Sequence, residues 1–265
     1  MKTWLGRCVV VAALVFALHT AAPATDQQPE NAIFGNGWGM TLALDGTGFY
    51  NDVIHHVLAA SGGGKPYLPL PYKRAKAEFA KTVGSCLYPA RIEHLMRGSE
   101  IDSAEDYVET QPLVLVESHF FSRPGMAPLA SLQELEGRLV AYPNGSALPT
   151  AFGKYGATFV PTTDETTKAR MLIAGRVDHM SGSLPDNYFV FAALGEELPP
   201  YNPDMALIRI GVGVVCHKTP ENEAFVARVD AALAKPENRA RLEAIFRDAG
   251  VEGRFLPRHS SAEAP

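Results

Sequence analysis

The side chains best suited to grip a charged solute are one short turn and a few arginines. Asn144-Gly145-Ser146 follows an apolar, strand-like run and precedes a helical one. Backbone amides and the Ser146 hydroxyl would converge there on the positive end of a helix, a place suited to a carboxylate or similar anion. The same placement also serves plain capping of the helix by Ser146. Ser183 has the same double reading, because Ser183-Leu184-Pro185-Asp186 has the spacing of a capping box. Arg74 opens a helical segment after a strand, and Arg91 and Arg97 follow the strand-like segment that carries Cys86. Each arginine becomes an anion partner only if it faces a cleft.

Other chemistries lack their residues. His55 and His56 are adjacent, so on a helix they point about 100° apart and do not chelate one ion. No other histidine stands at ligand spacing from an acid or a thiol, so no metal and no cofactor are expected. A G-x-S-x-G elbow is missing, and Ser181-Gly182-Ser183 has no strand-turn-helix setting with a partner histidine. Cys86 with His217 would make a nucleophile and base on paper, without any supporting motif.

The chain of 265 residues is 46% hydrophobic and 20% charged, a globular balance, with a net charge of −5 that argues against a nucleic-acid partner. Three cysteines are too few for a disulfide scaffold or a four-thiolate zinc site. Lys2 and Arg7 flank and precede an apolar run over 8–18, which is eleven residues, whereas a membrane span needs roughly 20. Ala22-Pro23-Ala24 then supplies a small-x-small cleavage pattern, so 1–24 reads as a signal peptide cut after Ala24 and the protein as exported to the periplasm. Taking Lys2 and Arg7 from the 24 basic residues leaves 22 against 29 acidic ones, a net −7 over 241 residues. Cys86 and Cys216 then remain, in a compartment where disulfides persist.

Strand-like and helix-like segments alternate beyond residue 30, which predicts an α/β architecture with largely parallel sheet. Strands are expected over 32–34, 67–70, 83–88, 113–121, 138–142, 158–160, 178–181 and 206–218. Helices are expected over 49–58, 73–81, 147–155, 165–174, 186–194, 220–233 and 236–249, two of them after the capping boxes of Thr162–Glu165 and Ser183–Asp186. A further box, Ser131 to Glu134, opens a short helix closed by Gly137. Thr219 caps the 220–233 helix with Pro220 at its first position. The stretch 89–109 is polar and weakly periodic.

In this order and spacing, GTGFYNDVIHHVL (46–58), LPYKRAKAEF (70–79), TQPLVLVESHFFSRPG (110–125), SLQELEGRLVAYPNGSA (131–147), MLIAGRVDHMSGSL (171–184) and VGVVCHKTPENEAFVARVDAALAK (212–235) resemble the family-3 bacterial extracellular solute-binding proteins. Those are periplasmic receptors of ABC importers. The resemblance implies a two-lobed periplasmic-binding fold, each lobe a mostly parallel sheet flanked by helices, with solute held between the lobes. It implies a first lobe over 30–115 and 211–256, a second over 116–210, and a flexible tail over 257–265. Cys86 and Cys216 then fall on neighbouring strands of one lobe and become a disulfide candidate.

Amino-acid receptors of that family carry a T-x-x-R element whose arginine holds the ligand carboxylate; here 88–107 has no clean match, and either Arg91 or Arg97 fits in part. They also place an aspartate five residues beyond that of G-R-V-D, where this chain has Ser183. The expected protein is a non-enzymatic, monomeric binder of a small polar or anionic solute that serves a membrane permease. Trp38, Tyr72 and Tyr88 are its stacking candidates. Arg74, Arg91, Arg97, Gly145, Ser146 and Ser183 are its polar ones. Some relatives are cyclohexadienyl-dehydratase-like enzymes, for which Glu93 or Glu117 would be the acid; a ligand-free sensor module is the third expectation.

Overall fold

The computed structural model describes residues 29–251 and 253–258; the expected signal segment 1–24 and most of the expected tail lie outside them. Nine strands, β1 (Ile33–Gly37), β2 (Tyr67–Pro71), β3 (Cys86–Ala90), β4 (Tyr107–Glu109), β5 (Val114–Ser122), β6 (Leu139–Pro143), β7 (Thr158–Thr162), β8 (His179–Leu184) and β9 (Ile208–His217), follow the order β2-β1-β3-β9-β5-β8-β6-β7, with β4 paired to β9. Helices α1 (Phe49–Ala60), α2 (Tyr72–Lys81), α3 (Ile92–Arg97), α4 (Leu148–Phe152), α5 (Glu165–Ile173), α6 (Asp186–Leu194), α7 (Pro220–Leu233) and α8 (Pro236–Asp248) connect them.

β9 joins two lobes because its halves pair differently. Gly213–His217 lies antiparallel between β3 and β4, while Ile208–Val212 runs antiparallel to β5. β5 leaves that pairing and continues antiparallel to β8 through Glu117–Ser122. Parallel trios complete the sheets, β2-β1-β3 in the first lobe and β7-β6-β8 in the second. The C-terminal segment straps this crossover. Leu115 donates its N–H to the Phe255 carbonyl at 2.7 Å, and Arg254 bonds Glu117 at 2.9 Å.

Local sequence explains the packing. Phe49, Val53, Ile54 and Val57 recur at helical spacing and are all buried, so α1 presents one apolar stripe to the first sheet alongside α7 and α8. Burying each such side chain stabilises by roughly 1.5–3 kcal/mol. Ala75 and Phe79 of α2 meet Phe34 and Leu87 on the opposite face. Thr219 caps α7 through the Asn222 N–H at 3.2 Å, with Pro220 in the first turn.

Several expectations shift. Val83 is exposed in a turn and β3 starts only at Cys86. The undecided stretch after it folds as α3, a 3-10 turn at Ala104–Asp106 and β4. None of the three capping boxes forms as such. Ser131 makes no cap bond and the segment Leu132–Leu135 is a 3-10 turn. Asp164, not Thr162, caps α5, accepting the Thr167 N–H at 2.7 Å, while Thr162 bonds the Tyr142 carbonyl. Ser183 belongs to β8, so Pro185 stands before α6 without a side-chain cap. The box pattern records residue types three apart, and any strand that runs one residue further removes the geometry.

Cys86 and Cys216 sit directly opposite in the β3–β9 register and form a disulfide across 130 residues of sequence.

Candidate functional site

The parallel strands aim their carboxyl ends at one cleft of about 270 Å³ between the lobes. Ligand crevices in open α/β sheets lie at such strand ends, where each strand hands over to a loop or helix. Trp38 follows β1, Tyr72 opens α2 after β2, and Pro89 and Ala90 end β3. From the second lobe, Pro143 ends β6 and Ser146 follows it, and Ser183 and Asp186 stand around the end of β8. Val116, Ile208, Ile210 and Phe152 give the cleft an apolar wall.

Asp186 is the centre of its polar part. It is 2% exposed. Its Oδ1 accepts the Trp38 indole N–H at 2.9 Å and the Thr41 hydroxyl at 2.6 Å, and its Oδ2 accepts the Tyr50 hydroxyl at 3.0 Å. Burial, reinforced by the nearby charge of Glu165, raises its pKa to about 6 although the three bonds pull it down. All three donors belong to the first lobe and the carboxylate to the second. A backbone bond runs beside them, from the Glu165 N–H to the Trp38 carbonyl at 2.9 Å.

One buried ion pair and one partly buried one flank this point. Lys168 bonds Glu165 at 2.5 Å. Lys76 bonds Glu100 at 2.7 Å and lies 4.3 Å from the Tyr72 ring centroid. Burial opposes the Lys76 charge, but Tyr72 and Glu100 outweigh it and hold the ammonium above its usual range. Burial, with Lys76 adding to it, pushes the His94 imidazole below its usual range, so it is neutral at pH 7. Asn36 Oδ1, Glu100 Oε2, Glu165 Oε2 and His94 Nδ1 are buried with no hydrogen-bond partner among the described residues.

Of the residues singled out from sequence, Trp38, Tyr72, Arg97, Ser146 and Ser183 line the cleft. Arg97 is half-exposed and bonded to Glu93 one helical turn away at 2.5 Å. Ser183 bonds Ser118 at 2.9 Å and Ser146 accepts the Leu148 N–H at 3.3 Å. Tyr88 is fully buried and donates to the Tyr50 carbonyl, so it is core and not a stacking surface. Arg74 is exposed on α2 away from the cleft. Arg91 is bonded to Glu109 at 3.1 Å. Gly145 borders the cleft without lining it. The amides of Asn144 and Ser146 already bond the carbonyls of Thr162 and Pro143, so the turn offers few free donors to an anion. Glu93 and Glu117 are both off the lining, each held by an arginine.

Asp186 went unassigned in sequence because counting five residues from Asp178 lands on Ser183; the carboxylate stands three residues later, at the first turn of α6. Lys76 carried a signal, being four residues after Tyr72 and so on its face of α2. Glu165 and Lys168 are likewise one turn apart on α5.

No protein-family model matches the chain, and no curated protein matches it in sequence. Solved structures do match in fold. The GluR0 ligand-binding core from Nostoc punctiforme, in complex with L-glutamate, has a TM-score of 0.64 at 13% identity over 82% of this chain and 97% of that one. A periplasmic His/Glu/Gln/Arg/opine family-binding protein from Silicibacter pomeroyi, in complex with lysine, gives 0.63 at 13% over 86% and 100%. A histidine kinase sensor domain with similarity to periplasmic binding proteins gives 0.62 at 17% over 86% and 98%. The chain has the two-lobed fold of periplasmic amino-acid-binding proteins.

Proposed function

We propose that this protein is a periplasmic solute-binding protein that captures a small solute between its lobes and presents it to the permease of an ABC importer. The observation that carries this reading is the cleft itself. Its wall draws on both lobes, and Asp186 of one lobe is bonded by Trp38, Thr41 and Tyr50 of the other. β5, β9 and the C-terminal strap link the lobes through the chain and its crossover, so rotation about them would open and shut the cleft around a ligand, breaking the side-chain and backbone contacts made across it. A ligand touching both lobes then shifts the population toward the shut form that a permease reads.

The proposed division puts the first lobe at 30–115 and 211–256 and the second at 116–210, with export after cleavage at Ala24. Fold neighbours that bind amino acids or related solutes, one of them the substrate-binding protein of an amino-acid ABC transporter, support a small-solute partner. Among the described residues no helix is long and apolar enough to cross a membrane. The sensor-domain neighbour supports a second reading, in which the shut form signals to a membrane partner instead.

Native mass spectrometry of protein purified from the periplasm tests the binding reading. A mass matching residues 25–265 plus a co-purifying small molecule is expected, with a smaller radius of gyration than after its removal by partial unfolding and refolding. Absence of any occupant, together with no solute that changes the scattering profile, overturns it. Crosslinking in cells then separates a permease from a sensor kinase as the partner.

A further inference from the structure

We infer that the solute is an organic amine, or another N–H cation, carried on an apolar body and lacking a carboxylate. This rests on the solute-binding reading and narrows it. The argument is a count of charges and hydrogen-bonding groups in the cleft.

An anion would need a cation free to meet it. Lys168 is balanced by Glu165, Lys76 by Glu100, and Arg97 by Glu93. Each ammonium keeps further N–H groups for a neutral acceptor. At the two lysines a ligand carboxylate would add a second negative charge where unbalanced charge is costly, and at Arg97, on the exposed rim, solvent screens what an anion would gain. The Asn144 and Ser146 amides are bonded within the turn as well. The sequence-derived expectation of an anionic solute therefore loses its anchors.

Acceptors, by contrast, are in surplus. Glu165 is 7% exposed and Asn36 3% exposed, both line the cleft, and each has an oxygen with no partner among the described residues. Glu100 has another. Buried polar atoms in native proteins are nearly always paired, so unpaired acceptors on a cleft wall call for donors from outside the chain. With Asp186 ionised, its charge is the one left over after the three ion pairs cancel, and an incoming cation offsets it. Trp38 adds an aromatic face that attracts a cation, whereas the Tyr72 ring beside it already carries the Lys76 ammonium. Val116, Ile208, Ile210 and Phe152 then take the apolar body.

The test compares three probes with one body: phenethylamine, phenylalanine and 3-phenylpropionate. Trp38 is the only tryptophan beyond residue 24, so its fluorescence reports binding in the exported protein, with thermal shift as a second readout. The amine is expected to bind at least ten times more tightly than the amino acid, and the acid not at all. Glu165→Gln should weaken the amine tenfold or more. Should that variant fail to fold, the less buried Glu100→Gln, checked by melting temperature, carries the same expectation. Tighter binding of phenylalanine or 3-phenylpropionate, or unchanged amine affinity in a folded variant, overturns the inference. If none of the three binds, the co-purifying molecule decides: an amine without a carboxylate supports the inference, and a carboxylate overturns it. With no occupant, whichever solute changes the scattering profile decides in the same way, and if no solute does, the solute-binding reading itself fails.

Discussion

Trp38 donates its indole N–H to Asp186 Oδ1 across 2.9 Å, although 148 residues separate the two and they belong to different lobes. Thr41 and Tyr50 complete the set of donors on the same carboxylate. One side chain thus fastens two halves of the molecule. Asp186→Ala would leave the Thr41 and Tyr50 hydroxyls without this acceptor, while the Trp38 indole N–H keeps Thr41 Oγ1 at 2.8 Å, at a cost of about 2–4 kcal/mol. A lower melting temperature and a larger radius of gyration by X-ray scattering are expected. Unchanged scattering would mean that other contacts hold the lobes together.

Asp186 also sets a pH dependence. Burial first, and Glu165 after it, raise its pKa from 3.8 to about 6. Well below pH 3.8 it is protonated whether the chain is folded or not. Between there and about pH 6 the unfolded chain releases its proton and the folded one retains it, so stability falls as pH rises. Above pH 6 the loss levels off at about 3 kcal/mol. Asp186→Asn keeps an oxygen for Trp38 and Thr41 and an N–H for the Tyr50 hydroxyl oxygen. Urea unfolding at pH 4 and pH 7 should therefore show the slope in the parent protein and its loss in the variant.

The Cys86–Cys216 bond closes a loop 130 residues long. Constraining an unfolded chain to that extent stabilises the fold by about 2–5 kcal/mol. Dithiothreitol should lower the urea midpoint of the parent protein accordingly. A Cys86→Ala, Cys216→Ala double variant should start near the reduced value and not respond to the reductant.

Gly145, in the turn after β6, comes close to α2 of the other lobe. Its φ is +94°, and a Cβ there would lie 3.1 Å from Lys73 Cβ. Gly145→Ala carries backbone strain of about 1 kcal/mol and a methyl group wedged against the other lobe. Solute affinity should drop and the radius of gyration rise. A variant with parent-like scattering would show that the approach does not limit closure.

Ser146→Ala separates capping from binding. Its hydroxyl supports only the Leu148 N–H of a five-residue helix, so stability should change by no more than about 1 kcal/mol. Solute affinity, by titration calorimetry, should fall several-fold. A lower melting temperature with unchanged affinity would make Ser146 a cap alone.

The fold was largely legible because its elements are carried by periodic burial. The 49–58 stripe and the long β-branched run before Lys218 declare themselves locally, and α7 announces its own start through Thr219 and Pro220. The site was less so. Arg91 and Arg97 have the right charge, yet each found a glutamate of its own chain, a pairing that for Arg91 depends on where β4 returns beside α3. Asp186 gains its role from three donors more than 130 residues away. Tyr88 could not be told from a stacking surface until β3 placed it in the core. Side-chain roles that arise where separate elements converge leave no mark in the spacing along one of them.

Because Arg254 and Phe255 are bonded to Glu117 and Leu115 on the crossover strand, a label joined just beyond them would ride on the pivot and not on either moving body. A donor fluorophore there, paired with an acceptor on the outer face of α5, would convert lobe rotation into an optical signal. The architecture thereby supplies an attachment point for a genetically encoded reporter of whatever solute the cleft accepts.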